Sequence, residues 1–330
     1  MSQKPLKFDL HIHLAGTGCN NSGCWISPEF RRRWSYRLLK ILHGISRSQE
    51  ETTVDDDWVK LIAQLVAGSE IDYAVVLGFD AVIDPQSGAE VRNDSQLIVP
   101  FQWVFSVCEH NRGLLPGPSI NPYRKDALIR LEACIKQGAV LIKWLPTVQV
   151  IDPADERLSD FYSIAARAKL PLLIHMGGEK TFRPIAPQYN RVELLKKPLE
   201  AGVPVICAHT ATAPLGSSEP DQIEKIKDLL RGYPHFWVDN SGLCNPSRFF
   251  HLPRLAKDEI VVKRTLYGSD WPVPSHAIYY IKEMGARRAF QIDRLRNVSQ
   301  KDIEIKRYFG YPDETLSRHA QVLANLDRWI

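Results

Sequence analysis

Phe8-Asp9-Leu10-His11-Ile12-His13-Leu14 is the stretch whose reading decides the fold. Apolar and polar residues alternate through it without a break. That is the period of a β-strand, in which successive side chains face opposite sides. Phe8, Leu10, Ile12 and Leu14 are therefore expected on one face, and Asp9, His11 and His13 on the other. A strand that is apolar outside and imidazole-lined inside suits the first strand of a β/α barrel with a metal in its mouth. It sets the expectation that further ligands arrive at the ends of later strands.

Outward from this stretch, short apolar runs alternate with helical patterns. Further strands are expected at residues 72–79, 101–107, 139–144, 170–175, 203–209, 235–239 and 265–270. Near-continuous Val/Ile/Leu runs are what strands covered on both faces require. Helical spacing follows them, as in Trp58, Leu61, Ile62, Leu65 and Val66, with Asp55, Asp56 and Asp57 at the start of that helix, where acidic groups suit the dipole. No break in composition divides the 330 residues. The economical reading is one (β/α)8 TIM-barrel domain over residues 1–330, with a long loop after the first strand (15–53) and extra C-terminal helices. The last of these helices is expected to run through Leu316, Ala320, Leu323 and Leu326. A doubly wound open sheet is the alternative.

The chain is 44% hydrophobic and 24% charged, an ordinary globular composition. With 42 basic and 38 acidic residues its net charge is +4, too balanced to suggest a nucleic-acid partner. No apolar run is long enough to span a bilayer. The first strand begins too close to Met1 to leave room for a signal peptide. Cys19, Cys24, Cys108, Cys134, Cys207 and Cys244 contain no CxxC pair and are expected to be reduced, in a cytoplasmic protein. Cys19 and Cys24 as a redox or zinc pair are the alternative.

Active sites of β/α barrels lie at the C-terminal ends of the strands. The polar residues that end the apolar runs are His11 and His13, Lys143, His175, His209 and Asp270. Imidazole and carboxylate are ligands suited to Zn²⁺. One histidine ending a strand is ordinarily a hydrogen-bonded core residue. Their conjunction on one rim points to a metal site. Lys180 and Arg183 follow the fifth strand, where they would meet an anionic substrate. Arg31-Arg32-Arg33 reads either as a further cationic contact or as a solvated helix face. Trp144, Trp271 and Trp25 read either as an aromatic wall for the substrate or as core.

The pattern resembles the amidohydrolase superfamily, in the amidohydrolase-related branch that includes both decarboxylases and lactonases. The residues that carry the resemblance are Asp9-x-His11-x-His13, Lys143-Trp144-Leu145-Pro146, His175, His209 and Gly268-Ser269-Asp270-Trp271-Pro272. It extends over roughly residues 8–309. The resemblance implies a distorted barrel holding a divalent ion, most often zinc, with His11, His13, His175 and Asp270 as ligands. It implies His209 as general base or electrophile and Asp270 as proton acceptor. In two-metal members a carboxylated lysine on strand four bridges the ions, which makes Lys143 a candidate bridge or substrate contact. One Zn²⁺ is the expectation here, with Mn²⁺ or a second ion as alternatives.

A bound zinc lowers the pKa of water from about 16 to near 7. The expected reaction is therefore hydrolysis of a small lactone, amide or ester that is anionic in character. Non-oxidative decarboxylation of a small unsaturated or aromatic carboxylate is the alternative. Leu14-Ala15-Gly16-Thr17-Gly18 lacks the tryptophan or proline-rich loop of many such decarboxylases, which favours the hydrolase. A catalytically inactive barrel acting as a binding protein is a third reading. The expected partner is a small-molecule substrate, with no nucleic acid and no membrane. Relatives are often dimers, so a homodimer through exposed C-terminal helices is also open.

Overall fold

The computed structural model describes residues 4–217 and 221–330. Eight parallel strands carry the fold: β1 Phe8–His13, β2 Tyr73–Leu77, β3 Leu114–Gly117, β4 Ile142–Trp144, β5 Leu172–His175, β6 Val205–Ala208, β7 Phe236–Asp239 and β8 Thr265–Leu266. They pair in chain order as two arcs, β1 to β3 and β4 to β8. Backbone bonds join the arcs into a ring. Val140 N–H donates to the Pro116 carbonyl (2.9 Å) and Lys143 N–H to that of Pro118 (2.8 Å). On the other side Leu10 N–H donates to Tyr267 (3.1 Å) and Asp270 N–H to His11 (2.9 Å). Helices cover the ring, and no helix among the described residues is long and apolar enough to cross a membrane. All six cysteines are free thiols.

β1 does not keep one apolar face. Phe8 pairs with Tyr73 and Asp9 with Ala74, but Ile12 pairs with Val76, so β1 holds one extra residue between them. This bulge shifts the phase of every side chain beyond it. Phe8 and Leu10 pack with Val75, Leu115, Leu141, Leu173, Ile206 and Leu266, contributed by strands all round the ring, and so fill its interior. Ile12 and Leu14 instead pack outward with Trp58, Ile62 and Val104. The expectation of four apolar residues on a single outward face is thereby corrected. The bulge lets an apolar plug at the base and two histidines at the mouth share one strand.

The third strand also lies elsewhere than expected. Phe101–His110 is a helix that buries Val104, Phe105, Val107 and Cys108 at helical spacing, and Pro100 precedes it. The strand is Leu114-Leu115-Pro116-Gly117. Gly117 is required by close approach: a Cβ there would stand 2.7 Å from a Val75 methyl and 2.8 Å from one of Leu77.

The expected C-terminal helix is instead three single 3-10 turns, Asp313–Leu316, Arg318–Gln321 and Leu326–Arg328. Val322 and Leu323 join the barrel-interior cluster, and the Trp329 indole N–H donates to the Gly138 carbonyl (2.7 Å). This segment plugs the base of the barrel. His319 lies within the plug, fully buried, donating from Nε2 to the Tyr267 carbonyl (2.8 Å). Burial lowers its pKa from 6.5 to about 4. A histidine with a depressed folded pKa takes up its proton more readily once unfolded, so stability falls as pH drops from about 6.5 towards 4. The loss due to this residue is about 3 kcal/mol. Urea unfolding of wild type and His319→Gln across that range should show a shallower decline in the variant.

The loop after β1 is organised by one side chain. Asp55, buried in the first turn of helix Val54–Ala67, accepts from Thr17 N–H (2.6 Å), Gly18 N–H (3.0 Å) and the Ser22 hydroxyl. Besides lying in that first turn, where an acidic group suits the helix dipole as expected, it anchors the loop. Three short helices follow in that loop: Pro28–Arg32, Trp34–Leu42 and Arg47–Thr52.

Candidate metal centre

His11 and His13 come from β1, Lys143 from β4, His175 from the end of β5 and Asp239 from the end of β7. His209 and Asp270 sit just beyond β6 and β8. Both take left-handed backbone, with φ of 55° and 68°, as do Thr210 and Ala211. Such conformations cost energy for non-glycine residues and persist where surrounding bonds impose them. Here His209 N–H donates to Asp239 Oδ1 (2.7 Å), and the Thr210 hydroxyl donates to the Asp239 carbonyl (2.8 Å).

The outer nitrogens of three rings are fixed by acceptors. His11 Nδ1 donates to Asp239 Oδ2 (2.8 Å), His209 Nδ1 to the Ser241 carbonyl (3.0 Å) and His175 Nε2 to the Gly178 carbonyl (3.1 Å). The Ser241 hydroxyl donates to Asp239 Oδ1 (2.5 Å) and lies 3.0 Å from His11 Nδ1. A neutral imidazole with one nitrogen protonated has a lone pair on the other. Burial holds His11, His175 and His209 neutral, with pKa values well below the usual range. Their free nitrogens therefore turn inward.

His11 Nε2 meets Asp270 Oδ1 at 3.6 Å and Lys143 Nζ at 3.2 Å, and His13 Nε2 meets the same Asp270 oxygen at 3.2 Å. His209 Nε2 and His175 Nδ1 face each other at 3.2 Å. Two lone pairs so placed repel unless a proton or cation stands beside them. The donor set therefore fits a divalent ion.

Among the described residues two groups keep all their donor atoms within 4.8 Å: His11, His13 and Asp270, and His11, His209 and Asp239. His175 belongs to neither and reaches the cluster through His209. Lys143 does not snorkel to solvent: it is 2% exposed, and burial lowers its pKa to about 8.

A cavity of about 270 Å³ opens over His13, His175, His209 and Asp270. Of the expected substrate contacts, Lys180 lines it, with its ammonium on the Leu215 carbonyl. Arg183 lies outside, paired with Glu29 at 3.4 Å. Trp144 is core: fully buried, it packs at a tilt against Phe161 and its indole donates to the Ile120 carbonyl (2.8 Å). Trp271 packs behind the cavity wall, against Trp58 and His43. Arg31 is held by Glu50 at 2.7 Å and does not reach the cavity.

The sequence reading missed Asp239 and Ser241, which orient His11 and His209. It also missed Glu179 and Arg248. Glu179 is buried 3.5 Å from His175, and burial raises its pKa. Arg248 lines the cavity and donates to the Gly178 carbonyl (2.6 Å).

The structure resembles an uncharacterised TIM-barrel protein of Bordetella bronchiseptica (TM-score 0.56, 14% identity, covering 92% of this chain and 98% of that one). It also resembles a candidate 2-pyrone-4,6-dicarboxylic acid hydrolase of Pseudomonas putida (TM-score 0.51, 14% identity, 98% and 97%). At these identities the likeness speaks to the fold. No curated protein sequence matches the chain. The amidohydrolase family profile matches residues 9–294, which take in all eight strands but for Phe8 and every histidine of the cluster. By that match the chain belongs to the amidohydrolase family and is an enzyme of its superfamily.

Proposed function

We propose that the protein is a metal-dependent hydrolase of a small lactone, amide or ester, in which His11, His13 and Asp270 hold one divalent ion together with His175. The observation that carries this reading is the convergence of the His11 and His13 ring nitrogens on one Asp270 oxygen, together with the His175 and His209 nitrogens that face each other. The mixed nitrogen and oxygen donors favour zinc over harder ions. Such an ion supplies Lewis acidity and brings the pKa of water towards neutrality.

The protein's own groups do the rest. Asp270 is placed to accept a proton from the attacking water. His209, kept neutral by burial, has a free Nε2 that can take up that proton and return it to the leaving oxygen or nitrogen. Lys143 beside His11 is a donor for the substrate's carbonyl or carboxylate; carboxylated, it would bridge a second ion.

The test is product analysis on zinc-loaded protein. Lactones, esters and carboxylated aromatics are offered in turn, and proton release and carbon dioxide are followed together. Proton release from lactones or esters is expected. Carbon dioxide evolution from the carboxylates, with no hydrolysis, would establish the decarboxylase instead.

A further inference from the structure

The helix Trp34–Leu42 in the loop after β1 carries its apolar residues on the wrong side for a core. Trp34 is 67% exposed, Leu38 41% and Leu42 45%, and only Ser35 of the nine residues is buried. Their spacing of four places them in one stripe along the helix.

The polar side of the helix is what fixes it. The Ser35 hydroxyl donates to the Thr181 carbonyl (2.9 Å), the Tyr36 hydroxyl donates to Glu50 Oε1 (2.5 Å), and Lys40 pairs with the other Glu50 oxygen. Arg31, on the preceding helix, pairs with Glu50 as well. One buried carboxylate thus gathers three groups and aims the apolar stripe away from the protein's own core.

The stripe is not an isolated surface. Trp34, Leu38 and Leu42 line the same cavity whose floor is His13, His175, His209 and Asp270. Phe30 and Phe182, stacked at 4.7 Å between ring centres, line it too. Contiguous exposed apolar surface marks a binding site. A macromolecular partner seated there would seal the entrance to the histidines. A substrate spanning wall and floor would not.

We propose that the substrate carries an apolar chain or ring system that lies along Trp34, Leu38 and Leu42 while its scissile carbonyl sits at the histidine cluster. This rests on the hydrolase reading and adds the substrate class: an acyl or aryl compound whose apolar part determines specificity. The cations that line the cavity, Lys40, Lys180 and Arg248, are all engaged by protein acceptors, so the apolar wall is the larger unfilled feature.

The test uses straight-chain alkyl hydroxamates, from acetyl to decanoyl, titrated calorimetrically into the zinc-loaded full chain. Acetohydroxamate should bind. Affinity should then rise about two- to four-fold per added methylene over the first several carbons. Leu38→Asp and Leu42→Asp, at exposed positions that tolerate a carboxylate, should flatten the series and leave acetohydroxamate binding within about two-fold. Trp34→Ala should flatten it in part. Binding of acetohydroxamate with no dependence on chain length would overturn this inference and leave the hydrolase reading standing. If the flat series came with a dimer that Leu38→Asp dissociates, the stripe would belong to a second copy of the chain. Failure of every hydroxamate to bind would overturn both readings.

Discussion

Asp270→Asn is expected to lower kcat/KM by about a thousand-fold or more, in line with loss of a proton acceptor that also carries ligand charge. The substitution is nearly isosteric. Asparagine tolerates the left-handed backbone that residue 270 adopts at φ 68°, and its N–H can keep its bond to the His11 carbonyl. The fold should survive, so the thermal midpoint should stay close to wild type. What is lost is the negative oxygen 3.2 Å from His13 and 3.6 Å from His11. Steady-state kinetics beside thermal unfolding separate the two effects. Activity within ten-fold of wild type would remove Asp270 from the chemistry.

Asp239→Asn should weaken zinc binding by about 10- to 100-fold, the usual cost of losing a carboxylate behind a ligating histidine. Asp239 touches no substrate and acts through His11 and His209. Its Oδ1 accepts from the backbone N–H groups of His209 (2.7 Å) and Ser241 (3.0 Å), so an asparagine must keep its oxygen there. The amide NH2 then faces His11 Nδ1, where Asp239 Oδ2 now stands at 2.8 Å. That arrangement requires His11 to carry its proton on Nε2, pointing into the cluster, and removes the lone pair offered there. Competition against a chromophoric chelator measures the effect. A variant that is less stable but binds zinc as tightly as wild type would make Asp239 merely structural.

The histidine cluster was legible in the sequence because polar residues that end apolar runs converge wherever parallel strands do. Asp239 ends the seventh run by the same rule. It escaped notice because it opens Asp239-Asn240-Ser241-Gly242, which reads as a turn. Trp144, a candidate substrate contact from the sequence, is core because Lys143 points inward and alternation sends the next side chain out to the helices. The bulge in β1 was not legible, because apolar and polar residues keep alternating through it while the backbone phase changes. β3 is four residues long and contains proline and glycine, so it resembles a loop. The aromatic and β-branched residues at 101–107 resembled a strand, and their helical phase emerges only with the burial of Val104, Phe105, Val107 and Cys108. In the long loop the arginine run drew the reading towards charge. The apolar stripe beside it acquires meaning only once Glu50 is seen to orient the helix.

Metal content of the purified protein, by plasma mass spectrometry, tests the central claim most directly. Wild type is measured beside a His13→Ala/Asp270→Ala double variant, each after reconstitution and desalting. About one equivalent of zinc or manganese in wild type, lost in the variant, is the predicted result. Wild type that retains no metal, or a double variant that retains as much as wild type, would contradict the assignment of His11, His13 and Asp270 as the centre.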